Sequence, residues 1–172
     1  MELIITERLI LRKVKESDAL PMFLNWASDP EVAKYVAWSA HENVEMTKKI
    51  ISIWLEEEES IKTIRFMITI KGSDEPFGNI DVVKYIDGNP EIGYCLSRKM
   101  WNKGYMSEAC LAFIKYLFKL GFNKVYVRAE KDNIASNRVI EKCGFAFTHQ
   151  ETLVKPNNEE VIINCYEINK NK

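Results

Sequence analysis

The sequence predicts an α/β (α+β) fold: a mixed, mainly antiparallel sheet of seven strands with helices on both faces. Three observations predict it. Strand patterns joined by short Gly- and Asp-containing turns follow one another between Thr63 and Leu96, which reads as an antiparallel meander. From Ser107 onward the pattern alternates helix, strand, helix, strand, so helices must pack on the sheet. The helical segment after Gly104 is apolar almost all round and needs burial on most sides.

The elements follow in order. Arg8-Leu9-Ile10-Leu11-Arg12 opens a first strand, Leu9 to Val14, an apolar run with charged flanks. Ser17-Asp18 precedes a helical pattern of Leu20, Phe23, Leu24 and Ala27, which Asp29-Pro30 ends. A second helix runs from about Val44 to Glu59 with Ile50, Ile51, Trp54 and Leu55 on its apolar face. Its last turn, Glu56-Glu57-Glu58-Glu59, opposes the helix dipole. It reads either as a solvated, fraying end or as an acidic rim for a cationic substrate. Thr63 to Lys71 alternates Phe66, Ile68 and Ile70 against Arg65, Met67 and Thr69. Phe77 to Ile86 and Glu91 to Leu96 complete the meander. A helix from Ser107 to Leu120, with Glu108, Ala112, Lys115 and Lys119 as its solvent stripe, leads to a strand at Lys124 to Ala129. A helix from Ile134 to Cys143 and strands near Ala146 to Leu153 and Val161 to Ile168 finish the chain.

Residues 1–172 make one domain, long enough for a sizeable core. A net charge of −1 offers no electrostatic case for nucleic acid or a membrane surface. Cys95, Cys110, Cys143 and Cys165 are widely spaced among apolar residues, without a Cys-x-x-Cys pair. They read as buried thiols of a reducing compartment. His41 and His149 are too few and too isolated for a His-rich site, so no metal is expected. The N-terminus has no basic start followed by an apolar core, and no run approaches the ~20 apolar residues of a membrane helix. A cytoplasmic monomer or homodimer is the expectation.

The chemistry centres on the loop before the apolar helix. Trp101-Asn102-Lys103-Gly104-Tyr105-Met106-Ser107 leads from the strand Glu91-Ile92-Gly93-Tyr94-Cys95-Leu96 into a helix N-terminus. The first N–H groups there have no intrahelical partner and carry the positive end of the dipole, so a phosphate fits. Gly104 permits close approach and Lys103 adds charge.

Glu91-Ile92-Gly93-Tyr94 followed by Trp101 to Ala109 resembles the coenzyme A pyrophosphate loop of the GNAT acetyltransferase superfamily. Thr6 to Arg12 and Asn133 to Phe145 are similar to the first strand and last helix of its ribosomal-protein N-terminal acetyltransferase branch. The three segments fall in that branch's order and spacing and span nearly the whole chain. The family loop is usually Arg/Gln-x-x-Gly-x-Gly/Ala. Trp101 here replaces the basic first residue, removing one phosphate contact, and Met106 the last small one, crowding the helix start.

The resemblance implies acetyl-CoA as co-substrate and a primary amine as acceptor, either a protein N-terminus or a small amine such as a polyamine or aminoglycoside-like antibiotic. A non-catalytic acetyl-CoA-binding module is the rival. It implies coenzyme A in a splay of the sheet after Leu96, held by Tyr94, Cys95, Leu96, Trp101 to Ser107, Asn133 and Ser136. The Leu96 N–H would polarise the acetyl carbonyl, Asn133 would meet the pantetheine arm, and Ser136 would lie near the sulfur. Transfer would be direct, since no cysteine has a neighbouring histidine in sequence. Glu91, at the start of the cofactor strand, is the first candidate base and Asp81 the second. Tyr166 is a candidate acid or a buried structural tyrosine.

Overall fold

The computed structural model describes residues 3–60, 63–155 and 158–170, without the side chains of Glu59 and Ser60. Met1 and Glu2 of the N-terminal reading lie outside the described residues. One mixed sheet of eight strands runs through the chain: β1 (Ile4–Ile5), β2 (Leu9–Arg12), β3 (Arg65–Ile70), β4 (Pro76–Ile86), β5 (Asn89–Leu96), β6 (Lys124–Glu130), β7 (Ala146–Val154) and β8 (Glu160–Asn169). Their spatial order is β1-β2-β3-β4-β5-β6-β8-β7. The eighth strand, beyond the seven expected, is β1, two residues that pair with Ile10 and Leu11. So short a run carries no periodicity and exists only through its partner. The meander is as expected, and its β4–β5 turn uses Asp87 at φ 49° and Gly88 at φ 76°. Two successive left-handed residues suit a two-residue hairpin connection.

Helices cover both faces. The first face carries α4 (Tyr105–Lys119) and α5 (Ile134–Lys142), with Leu9, Leu11, Phe66, Ile68, Ile80, Ile92, Phe113 and Leu117 in its core. The opposite face carries α1 (Ala19–Met22), α2 (Pro30–Ala33) and α3 (Val44–Ser60), with Val14, Met22, Trp26, Ile51 and Met67 between them. Phe66 and Ile68 point one way and Met67 the other, so β3 is buried on both sides.

The first helical region departs from its expected pattern. Leu20 and Leu24 are exposed, while Ala19, Met22, Trp26 and Ala27 are buried. The chain widens into a π-helical turn over Phe23–Ala27, where Ser28 Oγ donates to the Phe23 carbonyl at 2.7 Å. That turn shifts the inward face by one position, and a 3.6-residue template misses it. Asp29-Pro30 also starts a helix as well as ending one: Asp29 caps α2 by accepting from the Glu31 N–H, with Pro30 in the first turn. In the acidic end of α3, Glu56 is exposed, while Glu57 and Glu58 face cations. Glu57 pairs with Arg65 at 3.0 Å and Glu58 lies 3.7 Å from Lys13. The solvent face of α4 runs through Leu111, Lys115 and Lys119, with Ala112 half-buried.

The feature that positions the site is where the sheet parts. Strands β5 and β6 are its parallel pair, and they are joined only at Glu91↔Tyr126 and Ile92↔Val127. Beyond Ile92 both strands continue, β5 to Leu96 and β6 to Glu130, without pairing. The splay thus opens after Ile92, earlier than the expected opening after Leu96.

Candidate active site

The loop before α4 has the glycine turn and the open helix start expected of it. Asn102 (φ 60°) and Gly104 (φ 78°) are both left-handed, and Gly104 is the N-cap of α4 with no side chain capping it. The first closed bond is Glu108 N–H to the Gly104 carbonyl at 3.1 Å, so the Tyr105, Met106 and Ser107 amides precede the ladder. Arg8 stands over this turn. It pairs with Glu108 at 2.6 Å, donates to the Lys103 carbonyl at 3.0 Å, and lies 4.5 Å from the Tyr105 ring centroid. A Cβ at Gly104 would come within 3.5 Å of Arg8 Nη2. Burial alone would raise the Glu108 carboxyl, but hydrogen bonds from Thr6 and Arg8 outweigh it and hold the group below the usual range. Met106 turns into the core at 4% exposure, so its bulk packs inward beneath the helix start.

Trp101 closes the other end of the loop. Its indole Nε1 donates to the Leu96 carbonyl at 2.9 Å, tying the loop to the tip of β5. On the far side of β5, the Ser97 N–H donates to Phe77 at 2.7 Å. By alternation Cys95 and Gly93 address β4, while the amides of Tyr94 and Leu96 face the gap toward β6. Gly78, opposite Leu96, lets β4 approach: a Cβ there would lie 2.4 Å from the Cys95 carbonyl.

Across the gap stands the start of α5. Asn133 caps it by accepting from the Ser136 N–H at 3.1 Å, and Ser136 Oγ is 2.9 Å from Tyr94 OH. The structure therefore joins three predicted residues, Tyr94, Asn133 and Ser136. Burial keeps the Tyr94 phenol protonated far above its usual range, although its bond to Ser136 works the other way. Tyr166 goes elsewhere. Its hydroxyl donates to Asn137 Oδ1 at 2.7 Å and its ring packs on Phe147, tying β8 to α5.

The two candidate carboxylates lie on the opposite face, the side of α1 to α3, flanking Gly93. Asp81 is 8% exposed and pairs in register with Gly93. Glu91 is 4% exposed and precedes Gly93 on the same side of β5. Each is held by an arginine that also holds a more exposed glutamate. Arg65 bonds Asp81 at 3.2 Å and Glu57 at 3.0 Å; Arg128 bonds Glu91 at 3.1 Å and also Glu151. Lys84 lies 3.5 Å and Arg128 3.1 Å from Glu91 Oε2, a buried oxygen that receives no hydrogen bond among the described residues. Among the described residues, Asp81 Oδ1 has only a 3.5 Å contact from Asn79. Burial raises the Asp81 carboxyl, opposed by Arg65 and reinforced by Glu57. Burial also pushes the Cys95 thiol up to about 12, with Asp81 adding to it.

Arg8, Arg65 and Arg128 are the residues that sequence reasoning did not single out. The available signal was a basic residue inside or beside an apolar strand, as Arg65 is among Phe66, Met67 and Ile68.

Comparison with known proteins agrees with this geometry. The family model described as "Acetyltransferase (GNAT) domain" matches residues 8–146. The N-acetyltransferase p20 of Bacillus licheniformis, itself uncharacterized, is 34% identical over 148 residues, covering 84% of this chain and 83% of its own. A GNAT-family acetyltransferase structure from Bacillus anthracis superposes with a TM-score of 0.87 at 27% identity, covering 99% of this chain and 100% of that one. A ribosomal L7/L12 alpha-N-protein acetyltransferase in complex with coenzyme A shares the fold, with a TM-score of 0.85 at 19% identity over 98% of both chains. Sequence family, fold and the parted strands beside the Gly104 turn converge, and the chain belongs to the GNAT acetyltransferases, enzymes that take their acetyl group from acetyl-CoA.

Proposed function

We propose that the enzyme acetylates a primary amine by direct transfer, with a protein N-terminal amine as acceptor and Asp81 as the base. The observation that carries this reading is the opening after Ile92, where unpaired main-chain groups of Tyr94 and Leu96 lie between a phosphate cradle on one side and a buried carboxylate on the other. Acetyl-CoA supplies the activated acetyl group as a thioester.

The residues divide the remaining work. The Tyr105, Met106 and Ser107 amides, with Arg8 and Lys103 nearby, hold the pyrophosphate. Trp101 fixes the loop, while Tyr94, Cys95 and Leu96 line the gap and Asn133 meets the pantetheine arm with its free amide nitrogen. The Leu96 N–H polarises the acetyl carbonyl as charge builds on its oxygen. Asp81 removes a proton from the amine as it attacks the thioester. Its carboxyl is raised by burial, which suits a base; the rival Glu91 keeps Oε2 without a hydrogen-bond partner among the described residues but stands in ion pairs with Arg128 and Lys84. Glu91 then orients Arg128 at the rim. The departing thiolate leaves against the Tyr94–Ser136 pair and accepts a hydrogen bond from it, and burial keeps Tyr94 protonated as a donor. Cys95, held as a neutral thiol, is a poor nucleophile, which supports transfer without an acyl-enzyme. The neighbour in complex with coenzyme A acts on the α-amine of a ribosomal protein, which favours an N-terminal acceptor here. Four free cysteines suit a reducing compartment, and we place the enzyme in the cytoplasm.

A screen of N-terminal peptides beside polyamines and aminoglycosides, read by free-thiol release, tests the acceptor. Turnover with peptides supports the proposal, and turnover confined to small amines overturns its acceptor. The base must be deprotonated to act, so the rate rises as pH climbs through the raised Asp81 value. Arg65, Glu57, Asn79 and Cys95 are the groups that face it. Asp81→Asn is expected to lower kcat about 10²–10⁴-fold and abolish that acidic limb. Glu91→Gln is expected to keep the limb. A limb lost in Glu91→Gln and kept in Asp81→Asn moves the base to Glu91.

A further inference from the structure

On the far side of Arg128 from Glu91, β7 and β8 bring together His149, Glu151 and Cys165. In sequence His149 looks isolated, sixteen positions from Cys165. The hairpin register pairs these two directly and places Glu151 opposite Ile163, one pleat along on the same face. A ring nitrogen of His149, a carboxylate oxygen of Glu151 and the Cys165 sulfur all lie within 4.8 Å of one another. We propose that this cluster is a binding site for a borderline-soft divalent cation, zinc above all, with three protein ligands and a fourth position open to solvent.

Several independent features prepare it. Thr148 Oγ1 donates its single proton to the Cys165 carbonyl at 3.0 Å, so in its 3.0 Å contact with His149 Nδ1 the ring must be the donor. That sets the tautomer, leaving Nε2 with a bare lone pair. Metal-bound histidines are held in this way, the second ring N–H being given to a neighbouring acceptor. A β-bulge lies at the same place, where the register slips between Phe147 and His149. Phe147 therefore turns to the α5 face against Tyr166, and His149 turns to the other face above Cys165. In a regular strand the two would share a face. Glu151 is oriented by Arg128 at Oε1, and its Oε2 has no partner among the described residues.

Histidine, thiolate and carboxylate are the donor set that zinc accepts in a tetrahedral site. Two anionic ligands would balance the dication. Tetrahedral zinc needs about 3.5 Å between ligand atoms. His149 is exposed and Glu151 half-exposed, so small rotamer changes close the cluster around a buried Cys165. On binding, the Cys165 thiol releases its proton to solvent as the sulfur–metal bond forms. The inference stands independently of the acetyl-transfer mechanism.

The test uses the full chain, cobalt(II) as a spectroscopic probe, and zinc in competition with a chromogenic chelator. One equivalent of cobalt is expected to give a thiolate-to-metal charge-transfer band that zinc abolishes and Cys165→Ser lacks. His149→Gln, at an exposed position that does not threaten folding, is expected to weaken zinc binding at least tenfold, and Thr148→Val roughly tenfold through loss of the tautomer lock. No band with the native chain, or His149→Gln binding zinc as tightly as the native chain, overturns the proposal.

Discussion

Gly104 carries the sharpest single-residue consequence. At φ 78° it occupies a conformation that costs another residue about 1–2 kcal/mol, and any Cβ there meets Arg8. Gly104→Val is expected to weaken coenzyme A binding at least tenfold, measured by calorimetric titration. An affinity within about twofold of the native value would show that the cradle lies elsewhere. Arg8 puts a cation beside the Gly104 turn, where Trp101 supplies none, from β2's N-terminal flank. Nothing in the local sequence around Gly104 announces Arg8, because the two are brought together only by β2 lying beside the start of α4.

The β5–α4 connection acts as one unit. Its far end is pinned by Trp101 to the Leu96 carbonyl, its near end by Ser97 to Phe77, and its exit by Gly104. Trp101→Phe keeps the ring and removes the donor. One net hydrogen bond of about 0.5–1.5 kcal/mol predicts an affinity for coenzyme A about two- to tenfold weaker, with little change in stability because Trp101 is partly exposed. An unchanged affinity would reduce Trp101 to a surface residue. The helix at Ile134 was legible from both ends, as Asn133 and Gly144 punctuate it by local rules. The region from Glu16 to Ala33 was not, since a π-turn and a fresh cap at Asp29 reset the period that pattern reading relies on.

The molecule is two half-sheets that meet at the short parallel contact between β5 and β6, with helices bridging only one face across the opening. A ligand filling that opening binds the folded state alone and links the halves. At a hundred times its dissociation constant, acetyl-CoA is expected to stabilise the fold by about 2.7 kcal/mol. For a chain of this length that corresponds to a Tm increase of roughly 5–10 °C in a thermal melt. A melt unmoved by saturating acetyl-CoA would contradict binding in the opening. No helix among the described residues is long and apolar enough to cross a membrane.

The sequence by itself determined the strands with strong alternation, the turns built on glycine and aspartate, the capped helix after Asn133, and the glycine turn that starts the helix at Gly104. Each depends on neighbours within a few residues, which is the range over which backbone sterics and side-chain periodicity act. Only the tertiary structure decided what surrounds each carboxylate, because Arg65 and Arg128 reach Asp81 and Glu91 from other strands. It also decided that the sheet parts after Ile92, that Tyr94 meets Ser136, and that His149 faces Cys165. Those contacts join residues distant in the chain, and their partners are chosen by strand order and register, which no local pattern encodes.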